Sequence, residues 1–243
     1  MLRTLQARLY ALTRSSVVRR VRKRRLTYLD HRALSELEQT VRALDARRVP
    51  GIIVEAGCAL GGSAVVLGSS KRADRTFRIY DVFGMIPPPT DADDEDVHAR
   101  YREVASGKSS GIDGDPYYGY ERDLRAKVTN TLRSFGLDLA ADHIELIQGL
   151  FQETMNIEEP VALAHIDADW YDSVVTCLEQ IAPQLSPGGE LIIDDYDHWS
   201  GCRKAVDTYF ADKATDYDFS HRARLHITRV DHRADAGKQV RAQ

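Results

Sequence analysis

The decisive stretch is Ile52-Ile53-Val54-Glu55-Ala56-Gly57-Cys58-Ala59-Leu60-Gly61-Gly62-Ser63, followed by the apolar run from Ala64 to Leu67. Ile52 to Val54 form a short, unbroken apolar run of the kind found in strands buried on both faces. Gly57, Gly61 and Gly62 let the backbone turn tightly, approach a ligand and enter a helix. The spacing is neither the G-x-G-x-x-G of dinucleotide folds nor a Walker loop, because no Lys-Ser/Thr pair follows. Glu55 lies in the turn itself. A carboxylate there repels a pyrophosphate and attracts a cation, which favours S-adenosylmethionine, with its sulfonium and ammonium groups, over NAD or ATP.

The alternation continues on both sides of this unit. Upstream, Leu34, Leu37, Val41 and Leu44 share one face of a helix over residues 31–46 that Pro50-Gly51 ends. Downstream, Phe77-Arg78-Ile79-Tyr80 reads as a strand ending at Asp81, and an acid in that position commonly holds two ribose hydroxyls. Further strands are expected at His143–Ile147, Val161–Ile166, Glu190–Ile193 and Arg224–Val230. Helices are expected at 120–135, at Tyr171–Leu185 (closed by Ser186-Pro187-Gly188-Gly189) and at Cys202–Ala211. This is an α/β chain, a doubly wound parallel sheet with helices on both faces. Residues 84–120 interrupt it with Pro87-Pro88-Pro89, an acidic run from Asp91 to Asp96, and Gly107, Gly111, Gly114 and Gly119. They read as a lid outside the sheet carrying one helix near 94–105.

The most specific signal is acidic. Asp167-Ala168-Asp169 closes one strand, and Asp194-Asp195-Tyr196-Asp197 closes the next. Parallel neighbours lie about 4.8 Å apart, so Asp167, Asp194 and Asp195 would converge. Three such charges need a counter-charge, and oxygen ligands suit Mg²⁺ or Ca²⁺. His165 and His198 flank the two clusters and are candidate bases. Tyr117, Tyr118 and Tyr120 can stack on a sugar face or pack the lid.

Composition narrows the classes. The 243 residues are 43% hydrophobic and 29% charged, ordinary globular usage that excludes collagen-like and wholly disordered chains. No apolar run reaches the roughly 18 residues of a membrane span, so no integral membrane contact is expected. Residues 1–25 hold nine basic and no acidic side chains, leaving 24 basic against 37 acidic in the remainder, a balance of −13. An acidic body argues against a nucleic-acid partner. Leu2, Leu5, Leu9 and Leu12 recur at helical spacing, so residues 1–26 read as a basic amphipathic helix that docks on the domain or on a second subunit, making a homodimer. A membrane-surface anchor and a transit peptide are the other readings of that segment. Cys58, Cys177 and Cys202 are too few and too scattered for a disulfide framework, which fits a cytoplasmic protein. The domain spans 27–230, and 231–243 are a polar tail.

At Val54–Ser63, Ile166-Asp167-Ala168-Asp169-Trp170-Tyr171-Asp172-Ser173, Leu185–Tyr196 and Cys202–Val206, the chain resembles the macrocin O-methyltransferase family, magnesium-dependent enzymes that methylate sugars of natural products. The resemblance implies a Rossmann-like class I methyltransferase fold, a mostly parallel seven-stranded sheet with N-terminal helices and an inserted lid. It implies Asp167, Asp194 and Asp195 as Mg²⁺ ligands and Asp169 as general base; His198, flanking the second cluster, is the alternative catalytic candidate. Glu55, Gly57, Ser63 and Asp81 would line the S-adenosylmethionine site. The implied acceptor is a small glycoside or an oligosaccharide, such as a methylated mannoside. A catechol-type O-methyltransferase, a glycosyltransferase using Asp167-Ala168-Asp169 for a nucleotide sugar, and a non-catalytic scaffold are the competing readings.

Overall fold

The computed structural model describes residues 15–231. The N-terminal stretch with Leu2, Leu5, Leu9 and Leu12, and the tail from 232, lie outside the described residues. The first described helix, α1 (Ser16–Lys23), is capped by the Ser15 hydroxyl, which accepts from the Val18 amide. It buries Val18 and Val21 and turns Arg19, Arg20, Lys23 and Arg24 to solvent. Helix α2 (His31–Ala46) is capped by Asp30 and buries the leucine and valine face that its periodicity predicts.

The sheet has seven strands, β1 (Ile52–Ala56), β2 (Phe77–Asp81), β3 (Ile144–Gln148), β4 (Val161–Ile166), β5 (Leu185–Ile193), β6 (Tyr217–His221) and β7 (Leu225–Arg229), in the order β3-β2-β1-β4-β5-β7-β6. The β3, β2, β1, β4 and β5 pairings are parallel, and β7 runs antiparallel between β5 and β6. The order reverses between β1 and β4. That switch point is where open α/β sheets bind ligands. The interposed helices are α3 (Gly62–Ser70), α4 (Glu95–Ala105), α5 (Leu124–Ser134), the single turn α6 (Phe151–Thr154), α7 (Tyr171–Ile181) and α8 (Ser200–Phe210). Successive residues of β1 feed opposite cores: Ile53 packs with Leu34, Val65 and Val128 on one side, and Val54 with Val174, Leu178 and Val206 on the other. This explains why Ile52–Val54 is an unbroken apolar run rather than an alternating one; Glu55, expected in the turn, is instead a buried residue of this strand.

Several boundaries differ from the expectations. Helix α7 stops at Ile181 and continues as a 3-10 turn over Ala182–Gln184, because Pro183 has no amide hydrogen to donate. Strand β5 begins at Leu185, ahead of Ser186-Pro187-Gly188-Gly189, which forms a bulge within it. Val161 pairs with Leu185, but Leu163 pairs with Glu190, and Gly188 adopts φ +74. The chain enters α5 only after a 3-10 turn at Tyr118–Tyr120, with Asp123 as its cap. Strand β6 has no sequence signature, since only Tyr217 of its five residues is buried. The 84–120 excursion contributes α4 and two 3-10 turns, and it leaves the sheet after β2.

Candidate functional site

The carboxyl ends of β1, β2, β4 and β5 meet at the switch point. Gly57 holds φ +83, and its amide donates to Tyr80 O at 2.8 Å. A Cβ there would overlap the Asp167 carbonyl oxygen and lie 3.0 Å from its carbon. Only glycine lets the first turn and the end of β4 approach this closely. Asp81 is 6% exposed; its two oxygens accept from the Cys58 amide at 2.8 Å and the Phe83 amide at 2.7 Å. Burial raises its carboxyl above the usual range, and those two amides work against the rise. With Gly57, Val82, Ile86, Tyr118 and Phe151, Asp81 lines one cavity.

Glu55 and Ser63 sit behind this wall, not on it. Glu55 is fully buried, its Oε1 is 3.2 Å from His165 Nδ1, and its Oε2 has no partner. Burial raises its carboxyl, while His165 and the Ser63 hydroxyl oppose the shift. Although burial opposes its charge, His165 is pushed up to about 9 by Asp194 and Glu55. It lies 3.6 Å from Asp194, and so links the first turn to the end of β5.

Ile166 pairs with Ile193, and the Asp194 amide donates to Ile166 O at 2.9 Å. This register sets Asp167 opposite Asp194. One carboxylate oxygen from each of Asp167, Asp194 and Asp195 lies within 4.8 Å of the others. Their charges are unevenly balanced. Burial and mutual repulsion push Asp167 and Asp195 well above the usual carboxylate range. Asp194 is also buried, yet it stays below that range because His165 and Arg224, whose Nε donates at 2.7 Å, face it. Asp195 Oδ2 is buried with no partner. Three hard oxygen donors, one of them orphaned and two without an ion-pair partner among the described residues, fit a hard divalent cation.

Asp169 holds φ +54 and accepts from Trp199 Nε1 at 3.0 Å. Burial and the Asp194 charge push it up to about 6, with the Trp199 bond and Arg100 opposing. It borders the first cavity and a second, of about 350 Å³. The second is walled by Tyr28, Arg100, Tyr117, Trp170 and Trp199 and floored by the carboxylates. His198 stands at its exposed rim. Tyr117 and Tyr118 reach this cavity, whereas Tyr120 turns into the lid and donates to Val104 O.

The site also uses residues that the sequence does not mark. Arg224 comes from the turn just ahead of β7, which folds antiparallel against β5. Trp199, Arg100 and Tyr28 come from three separate segments. None belongs to a motif, although the position of Trp199 just after the second acidic cluster is a weak pointer.

Residues 22–223 match a family model described as Macrocin-O-methyltransferase (TylF). The chain is 32% identical over 189 residues to the 8-demethyl-8-(2,3-dimethoxy-alpha-L-rhamnosyl)-tetracenomycin-C 4′-O-methyltransferase of Streptomyces olivaceus, covering 75% of this chain and 67% of that protein. It is 28% identical over 191 residues to the demethyldecarbamoylnovobiocin O-methyltransferase of Streptomyces niveus, covering 76% and 68%. Its fold is similar to that of the O-methyltransferase NovP, with a TM-score of 0.69 at 24% identity over 85% of this chain and 83% of that one.

Proposed function

Since the chain belongs to the macrocin O-methyltransferase family and is therefore an O-methyltransferase, we propose that it transfers a methyl group from S-adenosylmethionine to a sugar hydroxyl with the help of Mg²⁺. The observation that carries this reading is the convergence of Asp167, Asp194 and Asp195 within 4.8 Å beneath an aromatic-walled cavity. Family membership sets aside the nucleotide-sugar reading of Asp167-Ala168-Asp169. The Streptomyces olivaceus relative, by its name, methylates a rhamnosyl group, which supports a glycoside acceptor over a catechol.

Asp81 lies where it can hold the ribose of the methyl donor. Gly57 gives the donor room against the end of β4, and the unpartnered, buried Glu55 Oε2 adds negative charge beneath the turn. Asp167, Asp194 and Asp195 would hold the cation. When bound, Mg²⁺ supplies positive charge that orients an acceptor hydroxyl and lowers its pKa. Asp169 takes the hydroxyl proton. A carboxyl raised to about 6 remains ionised at neutral pH and is a stronger base than an ordinary aspartate. Trp199 fixes the orientation of that carboxylate. Tyr28, Tyr117, Trp170 and Trp199 offer faces for a sugar ring, and the lid residues Ile86 and Pro87 close both reactants from water. The acceptor oxygen forms its bond to the methyl carbon as the carbon–sulfur bond breaks, giving S-adenosylhomocysteine.

The test is calorimetry of S-adenosylhomocysteine with Mg²⁺ or EDTA, followed by transfer of labelled methyl to an α-L-rhamnoside, an α-D-mannoside and a catechol. Binding under both conditions, with Mg²⁺-dependent transfer to a glycoside, is expected. Transfer to the catechol alone would replace the sugar reading, and absence of binding would overturn the donor. The three buried, unpaired cysteines support a cytoplasmic setting. We place the protein there as a homodimer, which light scattering tests.

A further inference from the structure

Helices α7 and α8 start immediately beyond the two acidic clusters, and both have a tryptophan at the N-cap position. Trp170 and Trp199 adopt the extended backbone of a cap, but neither side chain caps its helix, because an indole has no acceptor. The missing acceptors come from the lid. Asp93, 6% exposed, accepts from the Tyr171 amide at 2.8 Å through Oδ1 and from the Thr90 amide at 3.1 Å through Oδ2. Asp96 accepts from the Ser200 amide at 3.0 Å and from the Ser200 hydroxyl. Two more bonds join the same surfaces: Trp170 Nε1 donates to Pro87 O and Lys204 Nζ to Ala92 O, each at 2.9 Å. Gly201 is part of the fit, since a Cβ there would overlap Asp93 Oδ1.

The two indoles that leave their helices uncapped are committed to the site. Trp199 donates to Asp169, and the Trp170 and Trp199 rings meet edge to face with centroids 5.8 Å apart. We infer that Asp93 and Asp96 are positioning residues that latch the lid onto the starts of α7 and α8 and thereby seat the tryptophan pair that orients Asp169. The inference rests on the methyl-transfer reading for its catalytic consequence, while the latch itself has an independent readout. With the lid seated, both helix starts are satisfied and Trp199 is held over Asp169. With the lid lifted, two helix starts lose their acceptors and the indole pair loses its support.

Trp170 and Trp199 are the chain's only tryptophans, so intrinsic fluorescence reports directly on the pair. Asp96 is exposed, which makes Asp96→Ala tolerable for folding. Asp96→Asn keeps an acceptor for the Ser200 amide and a partner for the hydroxyl, and asparagine caps as well as aspartate does. Losing a cap changes a local equilibrium by about fivefold. For Asp96→Ala we expect a red-shifted emission, about twofold stronger acrylamide quenching and about a fivefold fall in kcat with the rhamnoside acceptor. The S-adenosylmethionine KM and the S-adenosylhomocysteine Kd should stay within twofold, and Asp96→Asn should restore all readouts. Unchanged emission and quenching in Asp96→Ala would overturn the latch. So would failure of Asp96→Asn to rescue, or a fall in S-adenosylhomocysteine affinity matching the fall in kcat. If the unaltered protein neither binds S-adenosylhomocysteine nor transfers methyl, the proposed function fails, and the fluorescence comparison still decides the latch.

Discussion

Gly57→Ala and Gly136→Ala form a matched pair that tests how the first turn meets the second catalytic strand end. Both glycines sit in the left-handed region, at φ +83 and +87, so an alanine at either incurs the same backbone cost, about 1–2 kcal/mol. Their surroundings differ. Around Gly136, after α5, a Cβ would meet nothing within 4 Å, whereas at Gly57 it would overlap the Asp167 carbonyl. With ordinary nonbonded separations of about 3.5 Å, relief needs the two backbones to part by more than about 1 Å. Overpacking of that order adds about 1–3 kcal/mol. At about 2–4 °C per kcal/mol for a chain of this size, Gly136→Ala should lower Tm by about 2–8 °C and Gly57→Ala by about 4–20 °C. The decisive difference is in activity. A 1 Å displacement of Asp167 relative to the donor should lower transfer about a hundredfold, and Gly136→Ala should leave it unchanged. Thermal unfolding and methyl transfer on both variants make the comparison. Equal Tm losses together with wild-type transfer by Gly57→Ala would refute the claim that this contact sets the spacing between donor turn and acidic cluster.

Trp199→Phe removes a hydrogen bond to a charged carboxylate, worth about 1.5–3 kcal/mol. kcat should fall about ten- to hundredfold, with S-adenosylhomocysteine binding retained in calorimetry. Asp195→Asn should act on stability and metal binding in opposite senses. The folded-state carboxyl is raised, so Asp195 costs stability as pH rises above its unfolded pKa. In EDTA the variant should therefore melt higher than the unaltered protein, while titration calorimetry should show weaker Mg²⁺ binding. Arg78 on β2 grips Glu145 on neighbouring β3 and Glu159 ahead of β4, and holds Glu159 down to about 2 from an ordinary 4.5. A depressed carboxyl stabilises above its unfolded pKa and loses that contribution as pH falls from 4.5 toward 2. The Glu159 side chain is 46% exposed, so the pair is worth only about 0.5 kcal/mol. Glu159→Gln should therefore cost about 1–2 °C of Tm at pH 7 and progressively less in acid-unfolding series below pH 4.

What the sequence reveals is what short-range chemistry determines. The Gly57–Gly62 turn, Asp81, the Asp167-Ala168-Asp169 strand end and the Asp194-Asp195 pair are legible because each follows a buried apolar strand. In a parallel sheet, strand ends on the same side must converge. The pairing of Ile166 with Ile193 turns two separate motifs into one cluster. Strand β6 is illegible because an exposed edge strand with one buried residue has no alternation to read. The bulge in β5 has the composition of a turn and is drawn into the strand only by its pairing with β4. Arg224 is illegible for another reason: its role depends on β7 folding back beside β5, thirty residues from the aspartate it meets.

That hidden part determines the electrostatics. From the motifs alone the three aspartates look equivalent. Folding pairs Asp194 with two cationic neighbours, His165 and Arg224, whereas Asp167 and Asp195 form no ion pair among the described residues. The consequence is directional. Asp194 is already an ionised, anchored carboxylate, tied through His165 to Glu55 beneath the donor turn. Burial and like charge raise the carboxyls of Asp167 and Asp195, and positive charge from outside the chain would offset both. A cation would then complete the charge balance on the side facing Asp169 and the acceptor cavity. The same network that fixes Asp194 against the proposed donor site would leave the proposed acceptor side open for it.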